Sequence, residues 1–271
     1  MSNALHPLSP SHSCSYCGQE VRADYYFCPA CSKPWRSGEI GLGPAPEPVW
    51  DDETRIRKRA PEVYHLFCWY LVAVLLAGVA TFLASQQHED YASLYILSGI
   101  AVLSVTIYGS IRYWDVLQPI LKKPGIGHPA FFAGLLLGAA LLGVNFVWHG
   151  LLNEWFLHET GRDYVKDMDV FGRGVPLSAA FFLLCFLPAV TEEIGFRGLM
   201  QTILLRALTP RKAIVVSSLL FAAAHFNIPG FPYLFLVGVL LGWLLHKTGS
   251  VYPGMIIHAA HNFAVIYYLN A

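Results

Sequence analysis

Charge is what this sequence has least of. Only 13% of its 271 residues are charged, against about a quarter in an ordinary soluble domain. The 18 basic residues offset the 18 acidic ones, so net charge is zero. Without a positive excess there is no electrostatic footprint for nucleic acid, and no nucleic-acid partner is expected. The first 50 residues contain no apolar run of the kind that makes a signal peptide, so the first apolar span is expected to act as its own anchor. There is no H-E-x-x-H, which excludes a zincin helix carrying two histidine ligands. No internal repeat or low-complexity tract is present. Cysteine is nearly absent from the apolar body: Cys68 and Cys185 stand singly there, where a thiol packs as a small residue.

What is abundant is apolar surface. Hydrophobic residues make up 55% of the chain, and they fall in runs of the length a bilayer demands, about 20 residues each. The fold class expected is an all-α polytopic membrane protein. Seven spans are expected, near 64–84, 93–111, 130–151, 175–197, 213–227, 231–246 and 251–269. The basic cluster Arg55-Ile56-Arg57-Lys58-Arg59 precedes the first span, and further basic residues (Arg112, Lys122, Lys123, Arg206, Arg211, Lys212, Lys247) fall on alternate sides. By the positive-inside rule this places the N-terminus in the cytosol and the C-terminus outside, in a cell (cytoplasmic or inner) membrane. Segment 152–174 mixes aromatic residues with charges, and reads equally as an interfacial helix or as an exposed loop anchored at the headgroups. Small residues four apart, Gly134/Gly138 and Gly238/Gly242, allow close helix contact.

The polar N-terminus is organised differently. Residues 1–13 are expected to be disordered, and 37–60 to form a Gly/Pro/acid linker ending in the basic juxtamembrane cluster. Between them lie Cys14-Ser15-Tyr16-Cys17-Gly18 and Cys28-Pro29-Ala30-Cys31. Each C-x-x-C turn presents two thiolates, and two such turns build the closed tetrahedral site of structural zinc. Residues 14–36 therefore resemble a zinc ribbon, with Cys14, Cys17, Cys28 and Cys31 as the metal ligands. The alternative, two disulfides, is disfavoured by a cytosolic location. So small a unit needs its metal to fold and suits docking of a protein partner or substrate tail better than chemistry.

The chain is organised around Pro188-Ala189-Val190-Thr191-Glu192-Glu193-Ile194-Gly195-Phe196-Arg197-Gly198. Three charges inside an apolar span cost roughly 2.5–3.5 kcal/mol each at the centre of a membrane helix. Such charges mark a site by default. On a helix Glu193 and Arg197 stand four apart and share a face, so Arg197 is expected to neutralise and orient Glu193. Glu192 points about 100° away, which leaves it as a candidate general base facing the bundle interior. Pro188 is expected to kink the helix and open room for water. Two further polar clusters occupy separate spans: Phe221-Ala222-Ala223-Ala224-His225, and His258-Ala259-Ala260-His261-Asn262. Glu192 and His225 come out at one depth from their shared turn, whereas His258 agrees less well. His261 reads as a partner for a neighbouring span, and Phe221 as core beneath His225.

E-E-x-x-x-R, F-x-x-x-H and H-x-x-x-N on successive membrane helices resemble the CPBP family, the CAAX-protease and bacteriocin-processing (Abi) proteins, which include the type II CAAX prenyl endopeptidases. The resemblance covers 175–271, the expected catalytic helical core, and leaves 61–174 as N-terminal spans and an outer loop outside it. It implies an intramembrane endopeptidase acting on a membrane-associated peptide or protein. Glu192 and His225 would activate water, His258 and Asn262 would stabilise the oxyanion, and Glu193 and Arg197 would hold the carboxylates in place. The residue types also suit zinc at Glu192, His225 and His258, although the paired carboxylates favour a metal-free glutamate mechanism. Two rivals from other classes are a non-hydrolytic immunity or signalling partner on the same scaffold and a transporter using Glu192 as a proton relay.

Overall fold

In a computed structural model of the chain, residues 11–14, 17–22, 28, 61–76, 91–161 and 176–270 are described. Among them are two short strands and eight helical elements. The strands β1 (Ser11–Ser13) and β2 (Glu20–Arg22) pair antiparallel, with His12 opposite Val21. Ser11–Ser13 falls in the stretch expected to be disordered, and its pairing brings the flanks of the first cysteine turn together. The linker, the basic cluster Arg55–Arg59 and Cys31 lie outside the described residues.

The helices are α1 (Pro61–Leu76), α2 (Tyr91–Arg112), α3 (Trp114–Leu121), α4 (Pro129–Thr160), α5 (Leu177–Leu204), α6 (Pro210–Ala224), α7 (Phe231–Thr248) and α8 (Tyr252–Asn270). Their ends follow local chemistry. In α4, α6 and α7 a proline stands in the first turn, where the missing N–H costs nothing: Pro129, Pro210 and Pro232. Two close on a left-handed glycine, Gly161 (φ 68°) and Gly249 (φ 63°), whose N–H caps the carbonyl of Leu157 and of Leu245.

Of the expected spans, α4, α5 and α7 are each long and apolar enough to cross a membrane. The chain is thus a mostly helical, multi-pass membrane protein. The other four expected spans exist as helices α1, α2, α6 and α8, without meeting both conditions over the described residues. Two features were not anticipated. The amphipathic helix α3 fills part of what reads as a loop, with Val116 and Leu117 buried. Helix α4 runs about 48 Å at 1.5 Å per residue, past the expected end at 151 and into the segment read as interfacial helix or loop. The rest of that segment, 162–174, lies outside the described residues.

Two apolar clusters hold the bundle. One joins α1, α3, α5 and α6 around Leu66, Tyr70, Leu117, Phe196, Leu199 and Phe221. The other joins α7 and α8, with Phe131, Leu141 and Trp148 of α4 packed against it. Helix α5 belongs to the first cluster and reaches the second through its polar side chains. It does not break at Pro188. Instead the helix widens to i→i+5 turns just before it, over Phe181–Phe186, and again just after Glu192, over Glu193–Gln201. The first widened turn accommodates a ring that lacks an N–H and crowds the preceding turn. Widened turns of this kind recur at functional sites.

Candidate active site

Helix α5 supplies three of the site's charges. Arg197 Nη1 lies 3.0 Å from Glu193 Oε1, with both side chains 1% exposed. This is the pair expected from four-residue spacing. Its N–H does not align as a hydrogen bond, so the contact is a charge pair. The guanidinium is held elsewhere too: Nη2 donates to the Gly238 carbonyl of α7 (3.3 Å), and its carbon sits 4.2 Å over the Phe221 ring. Glu193 in turn accepts from His258 Nδ1 at 3.1 Å. Gly254 of α8 is what lets that helix approach: a Cβ there would come within 2.8 Å of Glu193 Oε2.

Glu192 faces the other way, as helix geometry predicts. Its Oε2 lies 3.9 Å from His225 Nε2 and 3.8 Å from His258 Nε2, and it is buried with no hydrogen-bond partner. The carboxylate and His225 are partly exposed, at 21% and 28%, whereas Glu193 and His258 are sealed. The spacing is too long for direct hydrogen bonds and suits a bridging water. His258, whose depth along its helix agreed least with the others, is brought to the same level.

The ring orientations follow from the opposite nitrogens. His225 caps α6, and its Nδ1 donates to the Phe221 carbonyl at 2.8 Å, which turns Nε2 toward Glu192. Phe221 packs 4.6 Å from the His225 ring and 6.0 Å from the His258 ring, so it is core beneath both histidines. The residue after His225, Phe226, holds a left-handed φ of 49°, the described non-glycine residue with positive φ. Asn262 donates from Nδ2 to the Leu184 carbonyl at 3.1 Å. Leu184 is four residues before Pro188, so this carbonyl has no α-helical N–H to receive. His261 bonds the Tyr233 hydroxyl at 2.7 Å, the neighbouring-span role expected of it.

Several polar residues of the site region were missed in the sequence. Gln201, one turn beyond Arg197, donates to the Gly242 carbonyl at 2.9 Å and accepts from Ser217 at 3.1 Å. The Gly238/Gly242 pair thus exposes two successive carbonyls to Arg197 and Gln201. The matching four-residue spacing on both helices is the signal that was available. Tyr70 of α1 and Thr106 of α2 also reach α5, at the carbonyl of Thr191.

For metal binding, the donors differ between the two ends of the chain. Cys14, Cys17 and Cys28 have ligand atoms all within 4.8 Å of one another, and Cys17 Sγ lies 3.6 Å from Cys28 Sγ. Tetrahedral zinc with 2.3 Å bonds sets sulfurs about 3.8 Å apart, so these thiols fit the ion. Gly18, at φ 71°, donates its N–H to the Cys14 carbonyl, closing the turn that aims both thiols inward. Cys31, the expected fourth ligand, lies outside the described residues. Among the described residues, Glu192, His225 and His258 do not form such a mutually close trio, so they fit a metal less well as placed.

No curated protein and no solved structure matches the chain. Residues 174–264 match the family model of the Type II CAAX prenyl endopeptidases, Rce1-like. The match contains Glu192, Glu193, Arg197, His225, His258 and Asn262, begins just before α5, and supports the resemblance to membrane proteases of the CPBP family.

Proposed function

We propose that this protein is an intramembrane endopeptidase that cleaves a peptide bond in a membrane-associated protein or peptide by a metal-free glutamate mechanism. The observation that carries this reading is the orphaned Oε2 of Glu192, 3.8–3.9 Å from two imidazole nitrogens, close enough for a water seated beside them to bond the carboxylate and a ring together. A water there gives its proton to Glu192 as its oxygen attacks the scissile carbonyl, while His225 Nε2 orients it. The oxyanion is held by Asn262 and His258. Asn262 has two N–H groups; the bond to Leu184 fixes the amide's orientation and leaves the second N–H for the oxyanion. His258 donates from Nε2 when its ring carries both protons, and Glu193 is the counter-ion for that state. The quartet Glu192, Glu193, Arg197 and protonated His258 is then neutral, as a buried cluster needs to be. Collapse of the tetrahedral intermediate breaks the C–N bond, and the amine leaves with the proton held by Glu192.

The N-terminal ribbon holds one structural zinc through Cys14, Cys17, Cys28 and Cys31 and serves as a docking module for a protein partner or substrate tail. The basic cluster Arg55–Arg59 before the first span and the alternation of later basic residues support a ribbon in the cytosol and a C-terminus outside, in the cytoplasmic membrane.

The test compares purified wild type with Glu192→Ala on a quenched fluorescent peptide library, with and without strong chelator. The expected result is cleavage that survives chelation in wild type and in a ribbon-deleted chain, and is lost in the variant. Cleavage abolished by chelation in the ribbon-deleted chain would replace the glutamate mechanism with a zinc-dependent one. Cleavage by Glu192→Ala at the wild-type rate would remove the proposal. Metal analysis is expected to return one zinc per full chain and none for Cys14→Ser.

A further inference from the structure

The family match begins at residue 174, so α1 and α2 lie outside it. Both pack along the glutamate helix, and both reach its backbone at one carbonyl. The Tyr70 hydroxyl of α1 donates to the carbonyl of Thr191 at 3.0 Å, the residue directly before Glu192. Thr106 of α2 bonds the same hydroxyl, and its one proton is shared with the Val102 carbonyl of its own helix at 2.9 Å and the Thr191 carbonyl at 3.4 Å. Tyr70 is 1% exposed, Thr106 3% and Thr191 1%, so no solvent competes for these bonds.

The rest of α5 is shaped to receive the phenol. A Cβ on Gly195 would lie 2.0 Å from the Tyr70 oxygen, so only glycine fits one turn beyond Thr191. Phe196 packs against the Tyr70 ring, with centroids 5.2 Å apart. The contact falls where the helix changes from α turns to the widened turn starting at Glu193. At such a change the hydrogen-bond ladder slips by one residue and leaves carbonyls to be satisfied from outside the helix. It also leaves the helix free to rotate slightly at Glu192, unless something fixes the backbone there.

We infer that Tyr70, backed by Thr106, is a positioning residue: it pins the backbone at Thr191 and so sets the rotation at which Glu192 meets His225 and His258. The N-terminal helices are then part of the hydrolytic machinery rather than an accessory. This rests on the protease reading, since it says what the clamp is for.

The test uses the full-length protein in lipid nanodiscs and a quenched fluorescent peptide that wild type cleaves. Tyr70→Phe removes one hydroxyl and keeps the ring packing. It is expected to lower kcat roughly 10- to 100-fold, as small misplacements of catalytic groups do, with KM within about twofold and little change in melting temperature. Thr106→Val is expected to lose part of kcat, and Thr106→Ser to restore it. A Tyr70→Phe enzyme with wild-type kcat overturns the inference, and so does a loss that tracks melting temperature across the variants. Should wild type cleave nothing, the protease reading fails on its own. The clamp is then judged by amide exchange over residues 187–201: faster exchange in Tyr70→Phe upholds it, and unchanged exchange overturns it.

Discussion

Two levels of α5, two to three turns apart, treat their polar groups in opposite ways. At the level of Gln201 every polar atom is answered: the amide nitrogen by Gly242, the amide oxygen by Ser217. At the level of Glu192 a carboxylate oxygen is buried and left without a partner. Both levels lie within apolar surroundings, and both burdens are costly unless compensated. The first is a structural ladder, with small residues on α7 letting side chains reach backbone carbonyls. The second sets a carboxylate oxygen 3.9 Å and 3.8 Å from two imidazole nitrogens, beyond direct hydrogen bonding. Arg197 and Glu193 stand between them, anchored to the Gly238 carbonyl of α7 on one side and bonded to His258 on the other. On the proposed mechanism, stability and reactivity are separable along one helix, between the levels of Gln201 and Glu192.

That separation is open to direct attack. Glu192→Gln keeps the shape and removes the charge. It is expected to cost about 10²–10⁴-fold in cleavage rate, while thermal unfolding moves by no more than about 1 kcal/mol, because no partner is lost. Large destabilisation in this variant would show that the Glu192 carboxylate is held by partners that the fold depends on. Arg197→Met does the reverse. It strands the fully buried Glu193 without its cation, at an expected cost of about 3–5 kcal/mol in unfolding free energy. Arg197→Lys is not expected to rescue it, since a single ammonium cannot contact Glu193, the Gly238 carbonyl and the Phe221 face together.

The sequence made the charges legible and the ladder illegible, for a physical reason. A Glu or Arg in an apolar run stands out on cost alone, and the four-residue spacing of Glu193 and Arg197 paired them correctly. His225 and Asn262 were found because they sit in similar spacings on other apolar helices. Gln201, Ser217, Tyr70 and Thr106 are neutral, and a neutral polar residue in a membrane helix is common enough to carry no signal by itself. Their partners are backbone carbonyls on other helices, and a carbonyl is present at every position. Pro188 predicts a disturbed helix, and the chain meets it with widened turns and the side chain of Asn262. That answer depends on α8 and cannot be read from α5. Around the cysteines the reverse holds: Cys14 and Cys17 are close in sequence, and the turn at Gly18, between two paired strands, brings them together.

Smaller substitutions sharpen the comparison within the ladder itself. Gly242→Ala would set a Cβ 2.7 Å from Gln201 Oε1 and 3.2 Å from Ile214 of α6. The Gln201 amide is held from both sides and Ile214 is itself in the interface, so neither yields freely. The expected cost is about 1–3 kcal/mol in thermal or denaturant unfolding, with cleavage per folded molecule nearly unchanged.

Ser217→Ala is the mildest cut. It leaves the Gln201 oxygen without its donor but fills no space and moves no helix. Hydrogen bonds between membrane helices average about 0.6 kcal/mol in double-mutant cycles, because the unfolded helices find other partners in the bilayer. A loss of that size is expected, measured with Gln201→Leu in a cycle to isolate the pair. A coupling above about 2 kcal/mol would mean that the ladder, and not apolar packing, holds α6 against α5. The contrast between the two levels would then be one of degree, since the level read as purely structural would govern where α6 carries His225.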